Sequence, residues 1–117
     1  MRITVSQSEE VTIVEPQGQI DSDSAKAFTK RLTELVEGGG IRMVVDLRQV
    51  NYISSAGFRS LLVVGKSLDE CSGKLVLCSL SPEIRRLFEI GSFDELFIIC
   101  SSQDEGIARA VVAGGRI

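Results

Sequence analysis

The sequence predicts an α/β fold with the element order β-β-α-β-α-β-α-β-α, a mostly parallel sheet and an antiparallel N-terminal strand. Two observations predict it. Short apolar runs rich in β-branched residues alternate along the chain with segments in which apolar residues recur at helical spacing. Such alternation is typical of parallel sheets joined by right-handed crossovers. The length of 117 residues fits one domain, covering residues 1–117, with a single hydrophobic core.

The N-terminal elements are predicted to be a hairpin followed by a helix. Apolar and polar residues alternate over residues 2–7 and again over residues 11–15, as in half-buried strands. The short link between these segments brings the two strands together in antiparallel order. An amphipathic helix is then predicted to run from Ala25 to the glycines at 38–40, which end it.

The rest of the chain is predicted to alternate strands with helices. The strands are short apolar runs typical of strands buried on both faces, and they span residues 41–47, 74–80 and 96–100. Each is followed by a predicted helix. These helices begin at Ala56, at the Ser81-Pro82 pair and at a capping box formed by Ser102 and Glu105. Residues 114–117 are expected to fray.

The composition excludes several classes of function. The chain contains no His, so Ser-His-Asp hydrolysis, Cys-His proteolysis, phosphotransfer through His and His-ligated metal sites are excluded. Thirteen Lys and Arg against 16 Asp and Glu give a formal charge of −3, so direct binding of nucleic acid is not expected. We expect no cofactor and no metal site.

The cysteines and the apolar segments indicate a cytoplasmic protein. Three cysteines, Cys71, Cys78 and Cys100, form no C-x-x-C pair and lie in or beside apolar segments, so we expect small core residues in a reducing compartment. No apolar run approaches the roughly 20 residues that span a bilayer. Membrane insertion is therefore not expected.

Two segments resemble catalytic or nucleotide-binding motifs but lack residues that those motifs require. Residues 65–67 end like a phosphate-binding P-loop, but Ser60 stands where the motif requires its first glycine. Residues 55–57 resemble half of a nucleophile elbow, yet Ile53 replaces the first glycine and no His is present to act as base. We therefore expect neither nucleotide hydrolysis nor a serine hydrolase.

The segment over residues 46–59 is the strongest candidate site, because it joins the end of a buried strand to the start of a helix. Either Ser54 or Ser55 can cap that helix, and one cap leaves the other serine unexplained. A phosphoryl group here would meet the positive end of the helix dipole. Asp46 is either an inward cap or a site carboxylate, and Arg59 either pairs with it or faces solvent.

These residues carry a resemblance that covers essentially the whole chain. The chain resembles a STAS domain, and it is most similar to the bacterial anti-sigma-factor antagonists. The matching segments are Gly18-Gln19-Ile20-Asp21, then Asp46-Leu47-Arg48-Gln49-Val50, Ile53-Ser54-Ser55-Ala56-Gly57-Phe58, and Ser81-Pro82-Glu83-Ile84-Arg85-Arg86-Leu87-Phe88-Glu89-Ile90.

The resemblance implies partner switching without catalysis by this chain. The unphosphorylated protein binds an anti-sigma factor that is also a Ser/Thr protein kinase, and thereby frees a sigma factor. That kinase uses ATP to phosphorylate one serine of the antagonist and so releases it. A PP2C-type phosphatase restores the binding form. We expect a monomer or a weak dimer.

The family turn Asp-Ser-Ser/Thr-Gly assigns roles to residues of this chain. The acceptor serine falls on Ser55, Ala56 replaces the following Ser/Thr, and Ser54 stands where the family has Asp. Ser54 is an alternative acceptor. Asp21 matches the acidic residue of the family's Gly-x-x-Asp turn and is either part of the partner surface or a neighbour of a helix N-cap. The residues that the resemblance implies for partner binding are Asp21, Ser54, Ser55, Ala56, Gly57, Phe58 and Arg59.

Two other functions share this fold. One is a scaffold STAS protein that acts by oligomerising in a signalling assembly, and the other is the STAS subunit of a membrane lipid ABC transporter, which binds an ATPase and is not phosphorylated. An enzyme is disfavoured, because a Ser-Lys mechanism needs a lysine and none lies near Ser55 in sequence.

Overall fold

A six-stranded mixed sheet lies at the centre of the protein. The structure is a computed structural model and describes residues 1–112, so the predicted fraying of residues 114–117 lies outside the described part. The strands are β1 (Arg2–Ser8), β2 (Val11–Ile20), β3 (Arg42–Asp46), β4 (Val50–Ile53), β5 (Lys74–Cys78) and β6 (Ile98–Cys100). The sheet order is β1-β2-β3-β5-β6, with β4 also paired to β2. Only the β1–β2 pair is antiparallel within residues 1–112, which confirms the predicted sheet.

The structure contains a strand that the sequence did not predict. The first half of β2 pairs with β3, and its last residues, Gly18 to Ile20, pair with β4 after a register shift. Gly18 has a φ of +98° at this bulge, which glycine adopts without steric cost. The predicted turn over residues 46–59 therefore contains a strand, and β2 extends beyond the predicted residue 15.

Four helices cover the two faces of the sheet. They are α1 (Ala25–Glu37), α2 (Ser55–Glu70), α3 (Pro82–Ile90) and α4 (Gln103–Val111). Phe28 of α1, Leu61 of α2 and Phe88 of α3 belong to one buried cluster with Met43 and Val45 of β3. Val44 points to the other face, where Ala110 of α4 packs. This alternation along β3 is expected for a strand covered on both faces.

Side-chain caps begin three of these helices. The Ser81 hydroxyl accepts a hydrogen bond from the Ile84 N–H at 3.2 Å, and Pro82 occupies the first turn, as predicted. The Ser102 hydroxyl accepts from the Glu105 N–H at 3.2 Å. The second half of the predicted capping box differs, because the Glu105 carboxylate accepts from the Ser101 N–H rather than from Ser102. The third cap, on α2, belongs to the candidate site.

The three free cysteines do not share one environment. Cys78 and Cys100 are buried on the α4 side of the sheet. Cys71 is exposed, so the prediction that all three are core residues was wrong for this one. It follows the last turn of α2, where the chain turns back toward β5 at the surface. Burial raises the pKa of the Cys78 thiol to about 12.

No helix among residues 1–112 is both long enough and apolar enough to cross a membrane.

Candidate functional site

Strand β4 brings the start of α2 against the end of β2. The Ser54 N–H donates to the Ile20 carbonyl at 3.0 Å, and the Gly18 N–H donates to the Gln49 carbonyl at 2.9 Å. These bonds join two segments that lie more than 30 residues apart in the sequence. Two of the four segments that carry the resemblance, residues 18–21 and 53–58, therefore lie side by side.

Gly57 allows this close approach. A Cβ atom at this position would lie 2.4 Å from the Ile20 carbonyl oxygen and 2.8 Å from the Ile53 Cγ2 atom. Backbone cannot yield to such a contact without moving α2 away from β2. The site consequently needs glycine here for steric reasons alone, whatever a partner requires.

The two serines of the turn have different surroundings. The Ser54 hydroxyl accepts a hydrogen bond from the Gly57 N–H at 3.4 Å and lies 3.5 Å from the Ile20 carbonyl, to which it can donate. Ser54 is therefore the N-cap of α2. Ser55 is exposed, and its hydroxyl makes no hydrogen bond to any side chain or backbone group of residues 1–112. The cap thus accounts for Ser54 and leaves Ser55 available to another protein.

Asp21 organises the neighbouring turn. Its Oδ1 atom accepts hydrogen bonds from the backbone N–H groups of Asp23 and Ser24, at 3.0 and 3.2 Å. The Ser24 hydroxyl in turn donates to the Gln19 carbonyl at 2.7 Å. These hydrogen bonds stabilise the turn that leads into α1. Asp21 is half-buried, so part of its side chain is accessible to solvent.

Phe58 anchors α2 to the buried interior of the protein. Phe58 is 5% exposed. Its ring stacks on Phe93 with centroids 4.3 Å apart and forms a T-shaped pair with Phe88, with centroids 4.8 Å apart. Phe58 and the buried Gly57 thus hold the turn in place from inside the protein, while Ser55 and Arg59 form its outer side. Ala56 is half-buried between them.

Arg59 lines a groove between α1 and α2. The groove has a volume of about 270 Å³ and also contains Lys26 and Ser22 on the α1 side. Arg59 is exposed, and no group within residues 1–112 forms a hydrogen bond or ion pair with its guanidinium. Of the two alternatives for Arg59, the structure shows the one in which it faces solvent.

Asp46 belongs to a separate polar cluster. It is 5% exposed, and its Oδ1 atom accepts from the Arg48 N–H at 2.9 Å. Its Oδ2 atom accepts from the Gln103 amide at 2.9 Å, and the same amide donates to Glu15 at 3.0 Å. Asp46 is therefore an inward cap that also ties α4 to the sheet. Gln103 was not predicted as a partner of Asp46, because nothing in a single sequence connects two residues that lie 57 positions apart.

The position of Ser55 favours negative charge. Ser55 is the first residue of α2, where the helix dipole stabilises added negative charge. Among residues 1–112, no group of three or more His, Cys, Asp or Glu side chains is placed to hold a metal ion.

Comparison with known proteins gives a consistent result. Residues 2–106 match the STAS domain family. BtrV of Bordetella bronchiseptica, named as a candidate anti-sigma factor antagonist, is 37% identical over 108 residues, which cover 92% of this chain and 93% of BtrV.

Solved structures agree on the fold. A crystal structure of an anti-sigma factor antagonist from Mycobacterium paratuberculosis has a TM-score of 0.84 at 22% identity, covering 93% of this chain and 92% of that one. The Bacillus cell fate determinant SpoIIAA in its phosphorylated form has a TM-score of 0.69 at 15% identity, covering 92% of this chain and 98% of SpoIIAA. Sequence and fold together show that this chain belongs to the STAS domain family.

Proposed function

We propose that this protein is an anti-sigma-factor antagonist that is switched by phosphorylation of Ser55. In its unphosphorylated form it binds an anti-sigma factor that is also a Ser/Thr kinase, and phosphorylation of Ser55 ends that binding. The observation that carries the proposal is the contrast at the start of α2, where the Ser54 hydroxyl caps the helix and the Ser55 hydroxyl is exposed and unbonded within residues 1–112.

The comparisons support the proposal at two levels. BtrV, 37% identical over most of the chain, is named as a candidate anti-sigma factor antagonist, and that name suggests the same partner class here. SpoIIAA has been solved in a phosphorylated form, so the shared fold accommodates a phosphorylated state.

Ser54 in place of the family's Asp does not remove the cap. Ser and Asp are both strong N-cap residues, and the Ser54 hydroxyl accepts the Gly57 N–H as a carboxylate would. The substitution removes one negative charge beside Ser55. We therefore propose that Ser54 retains the structural part of the Asp role, and that Ser55 rather than Ser54 is the acceptor.

The chemistry needs no catalytic group in this chain. The Ser55 oxygen forms a bond to the γ-phosphorus of ATP held by the kinase, the bond from that phosphorus to ADP breaks, and the hydroxyl proton leaves to the kinase or to water. A PP2C-type phosphatase reverses the modification by hydrolysis. This chain acts as a substrate and a binding module.

The switch is local in this proposal. A phosphate adds a charge of about −1.5 to −2 at pH 7. In a closely packed interface it weakens binding, because the added group takes up volume and its charge must be removed from water. The affected surface comprises Ser55, Arg59 and the half-buried Ala56 and Asp21. Gly57 and Phe58 contribute by positioning that surface, because both are buried.

Phosphorylation by a cognate kinase tests the acceptor directly. The protein is incubated with ATP and its cognate anti-sigma kinase, and the peptide spanning Arg48 to Arg59 is fragmented in a mass spectrometer. We expect one added phosphate on Ser55, and none in the Ser55→Ala variant. Phosphate on Ser54 alone, or none on either serine, would contradict the proposal. The second result would favour the STAS subunit of a lipid transporter.

A further inference from the structure

Ser55 and Arg59 lie one helical turn apart on α2. Residues at positions i and i+4 of a helix are neighbours on its surface, with Cβ atoms about 5–6 Å apart. Both residues are exposed, and neither side chain has a hydrogen-bond or ion-pair partner within residues 1–112. The guanidinium is therefore free to turn toward a new anion at position 55 without breaking an existing interaction.

The surroundings favour an added anion. The groove beside Arg59 also contains Lys26, and within the described part of the chain no acidic side chain lines it. The acidic residues nearest in sequence to Lys26 are Asp23 and Asp21, in the turn before α1. The Asp21 Oδ1 atom is already engaged by backbone N–H groups of its own turn. Asp23 is exposed, so water screens its competition for Arg59.

We propose that a phosphate on Ser55 is captured by Arg59 of the same helix, and that this capture withdraws Arg59 from the partner surface. The inference rests on the proposed function, which supplies the phosphate. A guanidinium presents a planar fork of donors that matches two phosphate oxygens, and such charge-assisted pairs are stronger than neutral hydrogen bonds.

The capture changes the partner surface in two ways. The unphosphorylated protein presents a free cation at Arg59, which suits a carboxylate on the partner. After phosphorylation that cation is engaged, and a charge of about −0.5 to −1 remains at the position once the guanidinium is counted against the phosphate. A single modification thereby removes an attractive group and adds a repulsive one.

The test uses protein in which phosphoserine is incorporated at position 55 during synthesis, so that no kinase is needed. The phosphate is titrated by ³¹P NMR between pH 4 and pH 9 in the parent chain and in Arg59→Gln, Arg59→Lys and Lys66→Gln variants. Lys66 is the matched control, because it is an exposed cation of the same helix. It lies 11 residues from Ser55, about 16 Å along the axis, which exceeds the screening length at physiological salt.

We expect the titration midpoint to rise by about 0.2 to 0.4 pH unit in Arg59→Gln, because a nearby cation favours the dianion and its removal favours the monoanion. Arg59→Lys should give a smaller rise, since the charge remains but the two-pronged contact is lost. Lys66→Gln should titrate like the parent chain. Equal midpoints for the parent and Arg59→Gln would overturn the inference.

The outcome is independent of the kinase experiment. A shift in midpoint in a protein that no cognate kinase phosphorylates would overturn the proposed function and leave the Arg59 contact standing. Phosphorylation of Ser55 by the kinase, without a shift in the midpoint, would overturn the Arg59 contact and leave the proposed function standing.

Discussion

Ser54 and Ser55 are adjacent in the sequence, yet only one of their hydroxyl groups contributes to the fold. Ser54 caps α2 and contacts the end of β2, whereas Ser55 points to solvent without a partner in residues 1–112. A helix N-cap stabilises a protein by roughly 0.5–2 kcal/mol relative to Ala. The two serines should therefore separate stability from regulation.

Alanine at each serine tests that separation. Ser54→Ala should lower the free energy of unfolding by about 1 kcal/mol, because the Gly57 N–H loses its acceptor. Ser55→Ala should change it by less than about 0.5 kcal/mol, as expected for an exposed position without contacts. Urea unfolding followed by circular dichroism measures both. Equal losses in the two variants would contradict the assignment of Ser54 as the cap.

Two glycines of α2 make a matched pair. A Cβ atom on Gly57 would lie 2.4 Å from the Ile20 carbonyl oxygen, whereas one on Gly65 would come no closer than 3.5 Å to a Leu75 side-chain atom. Gly57→Ala should destabilise the protein by about 1–3 kcal/mol through overpacking. Gly65→Ala should stabilise it by up to about 1 kcal/mol, the helix preference of Ala over Gly. Thermal unfolding of both variants tests whether the two changes in stability have opposite signs. A stabilising effect of Gly57→Ala would contradict the close contact between α2 and β2.

The sequence could predict the turn at Ser54 and Ser55 but could not decide which serine caps the helix. Ser54 is also held by the Ile20 carbonyl, 34 residues earlier, and this contact exists only because β4 pairs with the end of β2. The same limitation applies to Asp46, whose second partner, Gln103, lies on α4. Local patterns predict caps and helix starts, whereas long-range partners require the fold.

At the scale of elements, β4 shows where periodicity fails. Val50–Ile53 has only four residues, with two exposed residues between two buried ones, so it has neither strict alternation nor a continuous apolar run. Pro16 and Gly18 are also residue types that are uncommon inside a strand. Pro16 lies in the gap between the residues of β2 that pair with β3 and those that pair with β4. The predicted α/β order was nevertheless confirmed for the remaining strands and all four helices.

The attachment of α4 depends on a buried lysine at the start of β5. Lys74 is 5% exposed, and its ammonium group donates to the carbonyls of Arg109 and Val112, each at 3.1 Å. These carbonyls end α4, where the helix dipole favours a positive charge.

Lys74→Met should keep the buried volume but leave these carbonyls without their donor, so we expect a loss of about 1–3 kcal/mol in the free energy of unfolding. In this variant, amide hydrogen exchange should accelerate more in α4 than in α1. The matched control is Lys66→Met on the exposed face of α2, which should change neither quantity appreciably. Uniformly faster exchange in both helices would contradict a local capping role.

At the scale of the whole molecule, the sheet separates two buried clusters. The cluster under α1, α2 and α3 supports the candidate site, and the cluster under α4 contains Cys78 and Cys100. The pKa of the Cys78 thiol is raised from 9.0 to about 12, mainly because burial disfavours the thiolate. The Cys78 thiol therefore keeps its proton in the folded chain at pH values above 9, where it loses that proton in the unfolded chain.

This linkage predicts a stability that falls as pH rises. Between pH 8 and pH 10 the unfolded chain loses the Cys78 proton and the folded chain keeps it, so the free energy of unfolding should fall by about 1 kcal/mol from this group. Cys100 acts in the same direction. Cys78→Ala should flatten the profile, whatever its effect at pH 7. Cys71→Ala, at an exposed thiol, is the matched control for removing a thiol. An unaltered slope in Cys78→Ala would contradict the linkage.

Both clusters and the close contact at Gly57 hold the start of α2 in place, so the proposed switch at Ser55 needs no movement of the fold. The most direct test of that switch is the dissociation constant for the cognate anti-sigma kinase, measured by calorimetry with the unmodified chain and with phosphoserine at position 55. We predict at least tenfold weaker binding of the phosphorylated chain, which corresponds to about 1.4 kcal/mol. Ser55→Ala should bind like the unmodified chain. Equal affinities of the unmodified and phosphorylated chains would contradict the account.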